Sequence, residues 1–318
     1  MSYFDTLFYE TGIVPVIKIQ SPERAEALAD TLVAGHVPVA EITFRTKSAA
    51  EAIGKITRHR DDIAVGAGTV TTRTEVDAAL KAGAKFIVSP GFNPDIVKYC
   101  LDKGVPIYPG VNNPSLIEQA AALGLKTLKF FPAEVSGGLK ALKAFESVYS
   151  GISFIPTGGI QENNIAEYLA LGNVTACGGS WIVPTDKIES GDFASISALL
   201  KSCVKAILGF QLQRISLPPT AAAEASGKRA TNSASGLGEL AAVLRGSAGF
   251  EGLGLLDAAE NAQGRERVTI KTNSVRRAAA FLKTESFAAA VVPSPVKGKP
   301  TTALLEIPGS AFDIELTE

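Results

Sequence analysis

Residues 63–90, IAVGAGTVTTRTEVDAALKAGAKFIVSP, contain one complete strand–helix–strand unit. Ile63–Val70 and Phe86–Pro90 are short apolar runs rich in β-branched residues, and the mixed segment between them carries helical periodicity. That segment closes at Gly83, a residue suited to the left-handed backbone that follows a helix. A strand followed by a helix and a second strand predicts a parallel sheet with crossover connections.

The alternation extends in both directions, from Ile13 to Phe210. Further candidate strands are Ile13–Ile19, Val39–Arg45, Pro106–Val111, Thr127–Pro132, Ser153–Gly158 and Val174–Ile182. Helix starts are expected at Ser21-Pro22-Glu23, Asn93-Pro94 and Asn113-Pro114, where a capping side chain precedes proline. Helix ends are expected at Gly35, Gly83, Gly104 and Gly124. Eight parallel strands close into a barrel, whereas an open doubly wound sheet stops near about six. The expected fold is therefore an α/β protein, a (β/α)8 TIM barrel over residues 1–210 with a smaller α+β extension. Residues 211–266, rich in alanine, serine and glycine after Pro218-Pro219, read as a linker and degenerate segment. Residues 267–318 read as a βαβββ unit.

Composition limits the chemistry. The chain of 318 residues carries a formal charge of -1, so no whole-chain field favours nucleic acid or an anionic membrane. Three widely spaced cysteines, Cys100, Cys177 and Cys203, suit buried free thiols in a reducing cytoplasm. No signal peptide is expected from the first residues, and no apolar run approaches the roughly 20 residues of a bilayer span. A cytoplasmic protein is expected. His36 and His59 are the only histidines and lack metal-site spacing, so neither a metal nor a cofactor is expected.

In such a barrel the reactive groups stand at the C-terminal ends of the strands. Glu41 and Arg45 are four residues apart on the second strand, a spacing that projects both to one face. They form either a functional pair or an ion pair at the rim. Lys129 lies among Leu128, Phe130 and Phe131; burial there would lower its pKa and make it an amine nucleophile. Its alternative is a solvent-facing strand end. Thr157-Gly158-Gly159-Ile160 and Gly178-Gly179-Ser180-Trp181 are glycine-rich ends of neighbouring strands, suited to holding phosphate through backbone N–H groups or serving only as closing turns.

Glu41-x-x-x-Arg45, Gly66-Ala67-Gly68-Thr69, Ser89-Pro90-Gly91, Lys129-Phe130-Phe131-Pro132-Ala133-Glu134, Thr157-Gly158-Gly159 and Gly179-Ser180-Trp181 follow one another in an order that resembles the 2-keto-3-deoxy-6-phosphogluconate aldolases. The resemblance covers roughly residues 5–210. It implies a metal-independent class I aldolase of the Entner–Doudoroff route, which cleaves that sugar acid to pyruvate and glyceraldehyde 3-phosphate, and a homotrimer. It further implies Lys129 as the Schiff-base lysine, Glu41 as general acid/base, and Arg45 with Thr69 on the pyruvate carboxylate. Pro90 and Phe131 would shape that pocket, while Gly158, Gly159, Gly179 and Ser180 would hold the phosphate. Alternative substrates are 4-hydroxy-2-oxoglutarate and the galactonate-derived epimer; a non-catalytic phosphosugar-binding barrel is the alternative outside enzymes.

Val268–Val275, followed by a helix and three strands, resembles half of the glyoxalase/bleomycin-resistance (vicinal oxygen chelate) fold. That family's metal enzymes use histidine and glutamate, and this tail has no histidine. A packing or oligomerisation module is expected, with a small-molecule sensor as the alternative.

Overall fold

The computed structural model describes residues 2–216, 266–284, 288–292, 302–306 and 312–317. The chain divides into two compact units, Met1–Cys203 and Val204–Glu318.

The first unit opens with α1 (Tyr3–Thr11), held by a capping box in which Ser2 and Asp5 exchange side-chain-to-backbone hydrogen bonds. The barrel strands follow: β1 (Ile13–Ile17), β2 (Val39–Thr43), β3 (Ala64–Gly68), β4 (Phe86–Ser89), β5 (Ile107–Val111), β6 (Thr127–Phe130), β7 (Ser153–Pro156) and β8 (Cys177–Gly179). Between them run α2 (Ala25–Ala34), α3 (Ala49–His59), α4 (Arg73–Ala82), α5 (Pro94–Asp102), α6 (Pro114–Ala122), α7 (Gly138–Val148) and α8 (Ile165–Leu169). α9 (Thr185–Ser190) and α10 (Phe193–Leu208) come after β8. All pairings within the eight-stranded sheet are parallel, β8 returns to pair with β1, and bridges Phe154–Val174 and Thr157–Gly178 close it. The expected (β/α)8 barrel is what forms.

The strands are shorter than their apolar runs. β8 is confined to Cys177–Gly179, against an expected Val174–Ile182, because closure against β7 uses isolated bridges. β2 ends at Thr43, so Arg45 does not share a strand face with Glu41; it lies in the turn that follows. The cause is a set of side-chain bonds that pull this turn onto the end of β1. Thr43 Oγ1, Thr46 Oγ1 and Ser48 Oγ donate to the carbonyls of Ile17, Ile19 and Gln20 at 2.7, 2.6 and 2.6 Å.

Asn93 and Asn113 cap their helices as expected, and Gly83, Gly104 and Gly124 have positive φ. A helical turn also begins at Pro22 and α2 ends before Gly35 as expected, but neither cap has the expected geometry. Ser21 makes no side-chain cap and precedes a short 3-10 turn, Pro22–Arg24. Gly35 has φ -87°, and His36 beside it carries the left-handed turn at φ 60°. Gly35 is small for packing: a Cβ there would stand 2.9 Å from Leu200 Cδ1.

α1 plugs the N-terminal end of the barrel. Phe8 packs with Val14, Val39, Phe86, Tyr108 and Ile155, contributed by five different strands. Its ring centroid is 5.1 Å from that of Phe86 and 5.3 Å from that of Tyr108, within the range where aromatic pairs attract beyond their buried area. All three cysteines are free and buried.

The second unit contains β9 (Gln211–Ser216), β10 (Glu266–Lys271), α11 (Val275–Thr284), β11 (Ala288–Val292), β12 (Thr302–Glu306) and β13 (Phe312–Thr317). The sheet order is β11-β12-β13-β10-β9, with β10 and β13 parallel and the other pairs antiparallel. β9 falls at the start of the segment read as linker; its apolar residues Leu212 and Ile215 are three apart, which breaks the strand period, and its pairing with β10 shifts register between Thr269 and Ile270. The remainder of that segment, 217–265, lies outside the described residues. Among the described residues no helix is long and apolar enough to cross a membrane.

Candidate active site

A cavity of about 250 Å³ opens at the C-terminal end of the barrel strands. At its floor Lys129 projects from β6 and Glu41 from β2, 6% and 3% exposed, with Lys129 Nζ donating to Glu41 Oε1 at 3.2 Å. Two strands four places apart in the sheet order thus meet across the barrel interior. This disposes of the solvent-facing alternative for Lys129.

Small neighbours make the meeting possible. Glu41 occupies space beside Gly68, where a Cβ would stand 2.2 Å from Oε1. Lys129 pairs in register with Gly110 of β5, and its Nζ lies 5.5 Å from the centre of the Phe131 ring. The ring face attracts a cationic nitrogen and covers its approach. A charged pair this deep adds little net stability after desolvation, so its retention in the interior points to chemistry. Glu41 is the sole carboxylate among the residues lining the cavity.

One side of the cavity is formed by Arg45, Thr69 and Pro90. Arg45 is exposed, and the turn that carries it is tied by Thr46 and Ser48 to the carbonyls of Ile19 and Gln20 just after β1. Thr69 has φ 59°, an uncommon and strained conformation for a β-branched residue. Such strain persists where the surroundings over-determine it, here between β3 and the start of α4, whose cap Thr72 lies three residues on.

The other side is the turn after β7. Gly158 and Gly159 have φ 100° and 84°. The carbonyl of Thr157 accepts from Ala133 N at 2.8 Å, that of Gly158 from Glu134 N at 3.1 Å, and that of Gly159 from Asn164 Nδ2 at 3.1 Å. In a trans peptide the N–H points opposite to the C=O, so the N–H groups of Gly158, Gly159 and Ile160 face away from these partners. All three residues line the cavity, as does Ser180 after β8. Consecutive N–H groups disposed in this way form a concavity for an anion.

The cavity unites nine of the ten residues singled out in the sequence: Glu41, Arg45, Thr69, Pro90, Lys129, Phe131, Gly158, Gly159 and Ser180. Gly179 is not among its lining residues. A Cβ at Gly179 would meet the Trp181 ring at 2.1 Å, so this glycine makes room for tryptophan, and Gly178 reaches the cavity instead. Val16, Thr157, Ile160 and Gly178 also line it and had not been singled out individually. The alternation of inward and outward residues along β1 was the available signal for Val16. Among the described residues no three or more His, Cys, Asp or Glu side chains come together as a metal site.

With this geometry in place, a family model for KDPG and KHG aldolases matches residues 5–199. The chain belongs to the KDPG and KHG aldolase family. Its family region is 45% identical over 195 residues to a 2-dehydro-3-deoxy-phosphogluconate aldolase of Treponema pallidum, covering 61% of this chain and 93% of that one. A protein of the same description from Haemophilus influenzae is 46% identical over 198 residues, covering 62% and 93%. Among solved structures, the KDPG aldolase of Legionella pneumophila superposes with TM-score 0.61 at 37% identity, covering 63% of this chain and 97% of that one. In that structure pyruvate is captured as a covalent carbinolamine. The family match ends before the second unit begins.

Proposed function

We propose that this aldolase-family chain cleaves 2-keto-3-deoxy-6-phosphogluconate to pyruvate and glyceraldehyde 3-phosphate through a Schiff base on Lys129. The observation that carries the reading is the buried Lys129–Glu41 pair, 3.2 Å apart, between a guanidinium on one side of the cavity and a glycine turn on the other. The relatives' carbinolamine and 2-dehydro-3-deoxy-phosphogluconate aldolase names support it.

In this mechanism Lys129 Nζ attacks the C2 carbonyl, and Glu41 moves the protons that convert the carbinolamine to an iminium with loss of water. The C4 hydroxyl then gives up its proton, the C3–C4 bond breaks, and its electron pair flows into the iminium to leave an enamine and an aldehyde. Protonation at C3 and hydrolysis release pyruvate and the free lysine. As the sole carboxylate lining the cavity, Glu41 serves successive proton transfers.

Arg45 holds the substrate carboxylate with Thr69, which fixes C2 beside the amine. Pro90 and Phe131 enclose the three-carbon end. The N–H groups of Gly158 and Gly159, with Ser180, receive the phosphate, and Gly179 contributes by making room for the Trp181 ring. A substrate bound at both ends uses its remote phosphate to orient C4 for cleavage. A homotrimer and a cytoplasmic location complete the reading, and light scattering of the purified chain tests the former.

The decisive test is incubation with pyruvate and borohydride followed by peptide mass spectrometry. A reduced pyruvyl adduct on Lys129 is expected, and an unmodified Lys129 overturns the reading. Parallel assays with the galactonate-derived epimer and 4-hydroxy-2-oxoglutarate define the substrate preference.

A further inference from the structure

We propose that Glu134 and Tyr168 are positioning residues: together they clamp the Gly158–Gly159 turn in the conformation that receives the substrate's phosphate. The proposal rests on the phosphate reading given above for that turn.

The clamp is built from two loops. Glu134 begins the 3-10 turn that follows β6, and its backbone N–H donates to the Gly158 carbonyl at 3.1 Å. Its aliphatic stem lies against Gly159, where a Cβ would stand 2.3 Å from Glu134 Cγ and 2.7 Å from its Cβ. The same residue therefore sets the direction of one peptide plane and occupies the space over the next. Any side chain at 159 would displace it.

The carboxylate is in turn held from below. Tyr168 on α8 is fully buried, and its hydroxyl donates to Glu134 Oε1. Burial and the neighbouring carboxylate push the Tyr168 phenol up, so it remains a donor across the working pH range. Gly138 leaves room for this contact, since a Cβ there would lie 2.8 Å from the Tyr168 hydroxyl. Glu134 itself is exposed. An exposed glutamate normally samples several rotamers, and beside a phosphate subsite a wandering negative charge would repel the ligand. Tethering to Tyr168 gives it one position, with the stem packed on the turn.

Core stability does not account for this arrangement. The Glu134 side chain is on the surface, yet its stem lies against Gly159 and its carboxylate beside Gly138 and the buried Tyr168 hydroxyl. Neither residue lines the cavity.

The test compares the wild type with Tyr168→Phe, Glu134→Ala and Glu134→Gln, using the phosphorylated substrate, 4-hydroxy-2-oxoglutarate, which has no phosphate, and borohydride trapping with pyruvate. Tyr168→Phe and Glu134→Ala are each expected to raise KM for the phosphorylated substrate about tenfold, with any fall in kcat confined to that substrate, while trapping by pyruvate and both kcat and KM for the unphosphorylated substrate stay within about twofold. Glu134→Gln keeps the stem and an acceptor for the tyrosine, so its KM should remain within about threefold of wild type. An unchanged KM in Tyr168→Phe overturns the clamp. So does an equal loss of trapping, which would make the pair a general support of the barrel. If the wild type shows no KM advantage for the phosphorylated substrate, the phosphate reading fails first and the clamp with it.

Discussion

The two ends of one barrel are built on opposite principles. At the N-terminal end, Phe8, Phe86 and Tyr108 pack ring against ring with Val14, Val39 and Ile155 around them. At the C-terminal end the same strands carry a buried ion pair, a threonine at positive φ and a cavity of about 250 Å³. The first arrangement buries aromatic area and contributes to stability. The second forgoes close packing and desolvates two charges, which adds little net stability. One end of the barrel is thus packed for stability and the other left open for chemistry, as barrels with active sites at the strand C-termini allow.

The largest expected effect comes from making the mouth resemble the plug. Lys129→Met combined with Glu41→Leu removes both charges while roughly conserving volume. Turnover and pyruvate trapping should be lost by at least about 10⁴-fold, whereas denaturant unfolding should show stability unchanged or raised by about 1–4 kcal/mol. Loss of stability in the double variant would break the comparison. Next in size is the reciprocal change, Phe8→Ala, which should cost about 3–5 kcal/mol of unfolding free energy and leave kcat of the folded enzyme within about twofold. A large fall in kcat would mean that the two ends are mechanically coupled.

The smallest effect concerns Tyr108, buried at the plug with its hydroxyl donating to Asp5 Oδ1 at 3.2 Å. Burial, and then the Asp5 charge, raise the Tyr108 phenol above its usual value of 10.0. A folded-state value above the unfolded one means that the full contribution is present below pH 10 and is lost as pH rises beyond it. Stability should fall by up to about 1.4 kcal/mol per pH unit above that point from this group. Tyr108→Phe should flatten this part of the alkaline limb, and an unaltered limb would remove Tyr108 as its cause.

Much of this architecture was legible along the chain. The eight apolar runs locate every barrel strand because strands buried on both faces must be continuously apolar. Asn93 and Asn113 marked true helix starts, since an amide side chain can accept from the first turn wherever it occurs. Gly35 marked the helix end but not a left-handed backbone, because a glycine after a helix can serve either backbone freedom or close packing, and only the position of Leu200 distinguishes the two. Gly179 misled for the same reason, with Trp181 in the place of Leu200. Arg45 reached the expected cavity by an unexpected route, through a turn anchored by Thr43, Thr46 and Ser48 instead of through strand alternation. The plugging role of α1 was illegible, because nothing local to Phe4, Leu7 and Phe8 says which of the barrel's two ends they cover.

Local patterning therefore determined the βα repeat, the helix caps and the residue types available at each strand end, all of which depend on neighbours within a few positions. Tertiary structure alone decided that Lys129 meets Glu41 across a sequence separation of 88, that the carbonyls of Thr157, Gly158 and Gly159 turn outward, and that Tyr168 reaches Glu134. These contacts arise from barrel closure, which brings distant strand ends to one small volume. No periodicity in the chain encodes a distance of that kind.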